Sequence, residues 1–456
     1  MSKIKVNEIE NRTGSTLTLG KSGTTIQMAC GATQTGFGRT GTVDWCTTAK
    51  TSPLTGVSGN GYFINTTGGA VTVTLPASPS AGDIIAVKDY TGTAGTNKIT
   101  IARNGSKIRS ACACIALEQN NAGTQLIYVD GTEGWQYFNC GSDGDIEGNY
   151  TVATGGTITE SGDYKIHTFT SSSDFVVSNV GNSLGGGDKV SYMVAAGGGG
   201  GSRAAGGGGG AGGFREGKCT SDPYTASPLA GSGLSVSAAT FPITVGAGGT
   251  AGGSSPSIGG SGGNSIFSSI TSTGGGGANF NSPYPTGQGD GVPGGSGGGG
   301  GHRASNPAQT DGGSGNTPPV SPPQGNNGGA GSAVDNTGSG GGGGATAAGA
   351  TGGVGAPTPG TCGKGGNGGD GATTVITGSP TAYAGGGGGG SGSPRSCGAT
   401  GGTGGGGNGG FGPNTNATAG GTNTGGGGGG AGYCSSSTGQ AAGGSGVVII
   451  RYKFKN

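Results

Sequence analysis

The sequence predicts an all-β N-terminal part, a short β shaft plus a β-sandwich or barrel, followed by a polyglycine II helix bundle framed by β-strands. Three observations predict it. Residues 43–140 break into short runs of alternating apolar and polar residues, punctuated by Asn-Gly and Asp-Gly turns. Of the 122 glycines only 22 lie in residues 1–150, and the rest crowd the remainder of the chain as repeated runs. Strand-like segments, "DKVSYMVAA" and "GVVIIRYKF", stand at the two ends of that glycine-rich region.

Residues 1–42 hold "KIKVNEI", "STLTLG" and "TTIQMA", each alternating apolar and polar residues, with "NRTG" and "GKSG" as turns. None is long enough to bury a core alone, so this segment folds against a neighbouring subunit or another protein. Residues 43–140 read as a β-sandwich domain. "AVTVTLPA" and "GDIIAVKDY" are strands, "NKITIARNGSKI" is a strand, an Asn-Gly turn and a second strand, and "TQLIYVDGTEGWQYF" is a hairpin. Trp45, Tyr62, Phe63, Trp135, Tyr137 and Phe138 are the expected core and its rim. Residues 141–149, "GSDGDIEGN", are an acidic connector without the ligand spacing of a calcium loop.

From 150 to 196 the pattern is a β-strand collar, with strands expected over 157–159, 164–170 and 174–178. Residues 197–446 are the glycine-rich bundle and 447–456 the closing strand. The first and last strands cannot bury an apolar face alone. They are expected to be neighbours, with Val190, Tyr192 and Val194 near Val448, Ile450 and Tyr452.

A flexible Gly/Ser linker is the plain reading of the glycine runs. The framing strands, the aromatic-bearing spacers and the similar run lengths speak against it. A polyproline II-like helix of glycine repeats every three residues, has no internal hydrogen bonds and points its N–H and C=O groups outward. With only hydrogen on Cα, such helices can approach closely and exchange those groups, each pair contributing about 1 kcal/mol net. Ordering glycine costs up to about 1 kcal/mol more than ordering alanine. A many-helix bundle is therefore required, with turns at both ends and the spacers presented at its edges.

The formal net charge of +1 and the 9% of charged residues disfavour a nucleic-acid or anionic-membrane partner. No apolar run reaches the roughly 20 residues that span a bilayer, and the N-terminus lacks an apolar signal core. Nine cysteines and two histidines, His167 and His302, show no metal-ligand spacing, so no metal and no cofactor are expected. No Ser/His/Asp set and no paired carboxylates are readable, so no catalytic residues are assigned. The candidates for function lie in the spacers, rich in Asn, Thr, Ser, Pro and aromatics. They are Phe280, Tyr284, His302, Arg303, Arg395, Phe411 and Tyr433, a composition suited to carbohydrate or outer-membrane loop surfaces.

"KVNEIENRTGSTLTLGKSGTTI" resembles the opening of tail-fibre proteins of marine tailed bacteriophages. "GGTITESGDYKIHTFTSSSDFVVSN…DKVSYMVAAGGGGG", closed by "GGSGVVIIRYKF", resembles phage glycine-rich tail-fibre domains and adhesins tipped by polyglycine II sandwiches. The resemblance implies a virion component of the distal tail, usually a homotrimer, that binds a host surface receptor, an outer-membrane protein or glycan, and joins other phage tail proteins. Residues 1–42 would then be an attachment or shaft region. A structural fibre or decoration protein without a dedicated receptor is the alternative.

Overall fold

The computed structural model describes residues 43–138, 149–182, 185–253, 258–280, 289–302, 310–333, 338–353, 363–391, 398–412, 415–432 and 439–455. The expected β pieces of 1–42 and nearly all of the 141–149 connector lie outside them. Every regular element among the described residues is a strand.

The N-terminal domain contains β1 (Asp44–Lys50), β2 (Leu54–Thr55), β3 (Asn60–Ile64), β4 (Val71–Thr74), β5 (Ile84–Asp89), β6 (Ile99–Ala102), β7 (Ile115–Leu117), β8 (Gly123–Asp130) and β9 (Gly134–Phe138). They form two sheets, β1-β3-β5-β8-β9 and β2-β4-β6-β7. The apolar residues of each strand meet between them, with Ile64, Val73, Leu75, Ile85, Ile101 and Trp135 fully buried. Asp89 anchors the adjoining loops by accepting the N–H groups of Gly92, Ala94 and Asn121.

One expectation for this domain is corrected, the second strand after the Asn-Gly turn. The first six strands alternate between the sheets and pair in parallel, β1 on β3 on β5 and β2 on β4 on β6. The turn at Asn104–Gly105 exists, both residues having positive φ. Its second limb is not a strand, however, because Ile108 is drawn into the core beside Trp135 and β6 takes β7 as its antiparallel partner. The β8–β9 hairpin forms, its turn fixed by the Asp130 carboxylate accepting the N–H groups of Thr132 and Glu133. Of the residues expected in the core and its rim, Trp45 lies at the rim, 43% exposed with its ring tilted against half-buried Phe63 at 4.8 Å. Among the described residues β1 is the edge strand of its sheet.

The remaining strands are β10 (Val152–Thr154), β11 (Thr157–Ser161), β12 (Tyr164–Phe169), β13 (Ser173–Asn179), β14 (Lys189–Ala195), β15 (Phe214–Lys218), β16 (Ala230–Ser232), β17 (Leu234–Ser235), β18 (Thr240–Thr244), β19 (Ser265–Phe267), β20 (Ile270–Ser272), β21 (Ala372–Thr374), β22 (Thr381–Tyr383) and β23 (Val447–Lys453). β14 and β23 are antiparallel neighbours, with Tyr192 opposite Ile450 and Val194 opposite Val448. Both faces of this pair are buried. Val190, Tyr192, Val194, Val448, Ile450 and Tyr452 pack on one side with Phe175 and Phe267. Met193, Ala195, Val447 and Ile449 pack on the other with Phe214 and Ile376. That is why these two strands read as continuous apolar runs rather than as alternating ones.

A buried polar cluster ties the sheet to the chain that crosses it. Arg451 Nε donates to both Asp222 oxygens, at 3.0 and 3.1 Å, and the Ser191 hydroxyl donates to Asp222 at 3.0 Å. The guanidinium lies 4.6 Å from the Tyr164 ring centroid. Burial raises the Asp222 carboxyl above its ordinary range, outweighing the charge of Arg451 and the hydrogen bonds. Glu216, equally buried, accepts from Tyr224, Thr374 and the Ser227 N–H. Burial and then the Glu216 charge push the Tyr224 hydroxyl well up.

Between β14 and β23 the chain runs back and forth as glycine-rich segments without regular strand pairing. Their hydrogen bonds recur every third residue. In the run 206–213, Gly206, Gly209 and Gly212 donate to Ala431, Gly428 and Gly425. Gly207, Gly210 and Gly213 donate to Asn279, Gly276 and Thr273, while Gly208 and Ala211 donate to Gly340 and Gly343. The carbonyls of the same run accept from 196–202, 296–299 and 387–390. The run is thus enclosed by other stretches of backbone. A Cβ built on Gly208, Gly209 or Gly210 would lie 2.0–2.3 Å from a neighbouring carbonyl oxygen. Real Cβ atoms do not come that close, so the sequence must be glycine here.

Candidate functional site

The glycine-rich segments have two unlike ends. At the sheet end they are joined by described turns and strands: β15–β18, the β19–β20 hairpin, residues 316–324, residues 345–348 and the β21–β22 hairpin. Gly213 bonds Thr273 there, Gly295 bonds Gly274, and Ala384 bonds Thr424.

The opposite end gathers every point at which the chain between residues 197 and 446 leaves the described residues. The turn Ser202–Gly206 lies at its centre. Ala431 N–H donates to Ser202, Gly206 N–H to Ala431, and His302 N–H to Ala205. Gly207 donates to Asn279 and Gly390 to Gly206, which brings the departures after Phe280, His302, Ser391 and Gly432 together. Gly252 donates to Gly201, Gly301 to Gly289 and Gly331 to Thr310. Gly338 donates to Gly353, Gly353 to Lys364, and Ser391 to Gly410. The described residues on either side of 254–257, 281–288, 303–309, 334–337, 354–362, 392–397, 413–414 and 433–438 all lie at this end. Spacers were expected at both edges. The described residues that flank the long ones lie at one end, and the β-sheets occupy the other.

Hydroxyl side chains finish the runs at this end, where backbone partners give out. Ser202, Ser339, Ser391 and Thr310 are buried. Ser391 Oγ donates to Gly363 O at 2.9 Å, Thr310 Oγ1 to Gly301 O, and Ser339 Oγ to Ala205 O. The Ser391 and Thr310 hydroxyls each supply a donor to a backbone carbonyl, and Ser339 adds a second donor to the Ala205 carbonyl that His302 N–H also reaches.

Of the sequence candidates, Phe280, His302 and Phe411 fall on this end. Phe280 and Phe411 are half-buried, and the Phe411 ring lies against Gly398, where a Cβ would be 2.6 Å from Cδ1. His302 is only 2% exposed and its backbone N–H also reaches Ser339 Oγ at 3.1 Å. Tyr284, Arg303, Arg395 and Tyr433 lie outside the described residues, in segments that depart from the same surface. The sequence reading missed Arg203, half-buried in the central turn, and Lys364, exposed at the start of its run. The interruption of two glycine runs by "SRAA" was the available signal for Arg203. Ala204 and Ala205 in that turn have φ of 54° and 53°, a conformation that side chains disfavour and that this turn imposes. Asp290 and Asp311 add negative charge, Asp311 N–H donating to Asp290 Oδ1 at 2.8 Å.

The described part of this surface therefore offers guanidinium, ammonium, carboxylate and aromatic groups on a backbone-bonded base. Among the described residues no group of His, Cys, Asp and Glu could hold a metal ion. No helix of the described residues is long and apolar enough to cross a membrane.

No curated protein matches the chain. Residues 182–453, from just before β14 to the end of β23, match the glycine-rich domain family. That match takes in both framing strands and every glycine run between them, and the chain belongs to the glycine-rich domain family.

Proposed function

We propose that the chain is a non-enzymatic tail-fibre protein of a tailed bacteriophage. It is carried on the virion and attaches to a host surface receptor through the segments at the open end of the glycine-rich domain. In this reading the glycine runs are polyglycine II rods in a bundle. The recurrence of partners every third residue around 206–213 supports it, because such a helix has three residues per turn and directs all its backbone groups outward. The rods carry no side chains with which to discriminate a ligand. Discrimination falls to the connecting segments, and their convergence on one surface is the observation that carries the functional reading.

The resemblance of both ends of the domain to phage fibre domains supplies the setting, with an outer-membrane protein or a glycan as receptor. Individually weak contacts multiply through effective concentration when several segments, or several copies in a homotrimer, engage together. The test is binding of fluorescently labelled full-length chain to a panel of marine Gram-negative strains. Saturable binding to some strains and none to others is expected. Binding that is absent throughout, or equal on every strain, removes the receptor and leaves a structural fibre or decoration protein.

A further inference from the structure

The outer face of the sheet β1-β3-β5-β8-β9 carries a row of aromatic rings. Tyr62, Ile64 and Val87 belong to the core and Asp89 is buried, so strand alternation turns Phe63, Lys88 and Tyr90 outward. The Trp45 ring meets Phe63 at 4.8 Å between centroids, and Phe63 meets Tyr90 edge-on at 6.1 Å. The three rings form one strip across the strands, from β1 to the end of β5. Its two outer members face water, Trp45 at 43% and Tyr90 at 59% exposure. Tyr90 is thereby among the most exposed large apolar side chains of the described residues, and adjoining exposed rings of this kind mark binding surfaces.

The backbone beneath makes room for the indole. Trp45 lies opposite Gly61, where a Cβ would be 2.7 Å from Trp45 Cδ2 and Cε3. A side chain at 61 would lift the ring from the sheet. Lys88 stands opposite Phe63. Its ammonium donates to Asn121 O, which leaves two of its three hydrogens for a ligand.

Exposed rings in a row suit three kinds of partner. A protein partner covers a contiguous apolar core depleted of charge, whereas Lys88 borders this strip directly. Bases of a single strand stack on rings inside a positively charged groove that tracks the phosphates. Here Asp44 adjoins Trp45, and the whole chain carries a net charge of only +1. A pyranose with equatorial hydroxyls presents C–H groups on both faces and hydroxyls around its rim. Its faces lie on the aromatic rings, and its rim accepts from the Lys88 ammonium. We propose that Trp45, Phe63 and Tyr90 form a glycan-binding platform for β-linked pyranose chains with equatorial hydroxyls. This is a second contact, on a different domain from the open end, and it does not depend on the open end's role.

Titration of the full-length chain with cellohexaose and with chitohexaose tests this. Trp135 is fully buried, so a sugar-dependent change in indole emission reports on Trp45. A saturable change with at least one of the two sugars is expected, with half-saturation at or below about 1 mM. Tyr90→Ala removes an exposed ring, leaves the reporter in place and weakens binding about tenfold. Gly61→Ala keeps all three rings but displaces the indole, and weakens binding as well. No saturable change with either sugar overturns the proposal. So does binding that Tyr90→Ala leaves at the parental strength. A change that persists in Trp45→Ala also overturns it, since Trp135 is then the reporter and the sugar sits elsewhere. The titration uses no cells, so its failure is distinct from failure of the attachment test.

Discussion

His167 shows how one side chain sets the pH response of the glycine-rich domain. Its Nδ1–H donates to Gly155 O at 2.7 Å, which leaves Nε2 to accept from the Tyr452 hydroxyl at 3.0 Å. Both ring nitrogens are thus committed to the neutral imidazole. Burial holds its pKa below the ordinary 6.5, against the opposing effect of the Gly155 hydrogen bond. The folded state then binds fewer protons than the unfolded one. The stabilisation is complete above pH 6.5 and is lost as the pH falls through the lowered value. Melting of the full-length chain is expected to drop between pH 7 and pH 5. His167→Asn, which keeps a donor for Gly155 but does not titrate, melts lower at pH 7 and loses less on acidification. Asp222 works in the opposite sense, because its raised pKa makes the folded state the better proton acceptor in acid. Its role at neutral pH is to balance buried Arg451. Asp222→Asn leaves that guanidinium without its counter-charge and should cost about 3 kcal/mol, read as a shifted urea midpoint. Removing both charges, with Asp222→Leu and Arg451→Met, is expected to cost less than the single change, because no lone charge stays buried.

At the scale of the element, glycine acts by what it leaves out. Gly209 sits in the middle of the enclosed run 206–213, and a Cβ there would lie 2.0 Å from the Gly199 carbonyl oxygen. Gly209→Ala must push two runs apart and break hydrogen bonds on several sides, and is expected to cost about 3 kcal/mol or more. Gly253 has nothing within 4 Å of its would-be Cβ, so Gly253→Ala should lie within about 0.5 kcal/mol of the parent. Comparing the two melting temperatures separates an enclosed run from a tether, in which both changes would be harmless. The strands were largely legible in the sequence because local pattern specifies them: β12, β13, β14 and β23 all fall where alternation or apolar runs place them. β15 to β17 were missed. "FREGK", "AGS" and "LS" have little pattern of their own and become strands only by pairing with β14 or with one another. The parallel winding of β1 to β6 was illegible for the same reason, since register between distant segments leaves no mark within either.

For the whole molecule, the decisive feature is polarity from one end of the glycine-rich domain to the other. The sequence shows which segments are long, polar and aromatic, but not where they go, because direction depends on which runs pair. Pairing is carried by backbone groups that are identical in every glycine. Once the pairs are known, the long segments share an end and the β-sheets hold the other. On the proposed function, stability and recognition are therefore separable in space. Hydrogen bonds between runs stabilise the domain, while residues 281–288 begin and end at the surface, between Phe280 and Gly289, with Gly289 tied to Gly301 by its carbonyl. Replacing 281–288 with a polar segment of equal length and different sequence removes no described hydrogen bond. Its melting temperature should stay within the shift expected of a surface change, about 0.5 kcal/mol. Binding to a strain that the parent chain recognises should fall, and repeating the exchange at 303–309, 354–362, 392–397 and 433–438 should show a few segments carrying most of the loss. If all these exchanges leave cell binding intact while melting is unchanged, recognition does not reside at the open end. If each lowers melting as much as Gly209→Ala does, the segments are part of the fold and the separation is wrong.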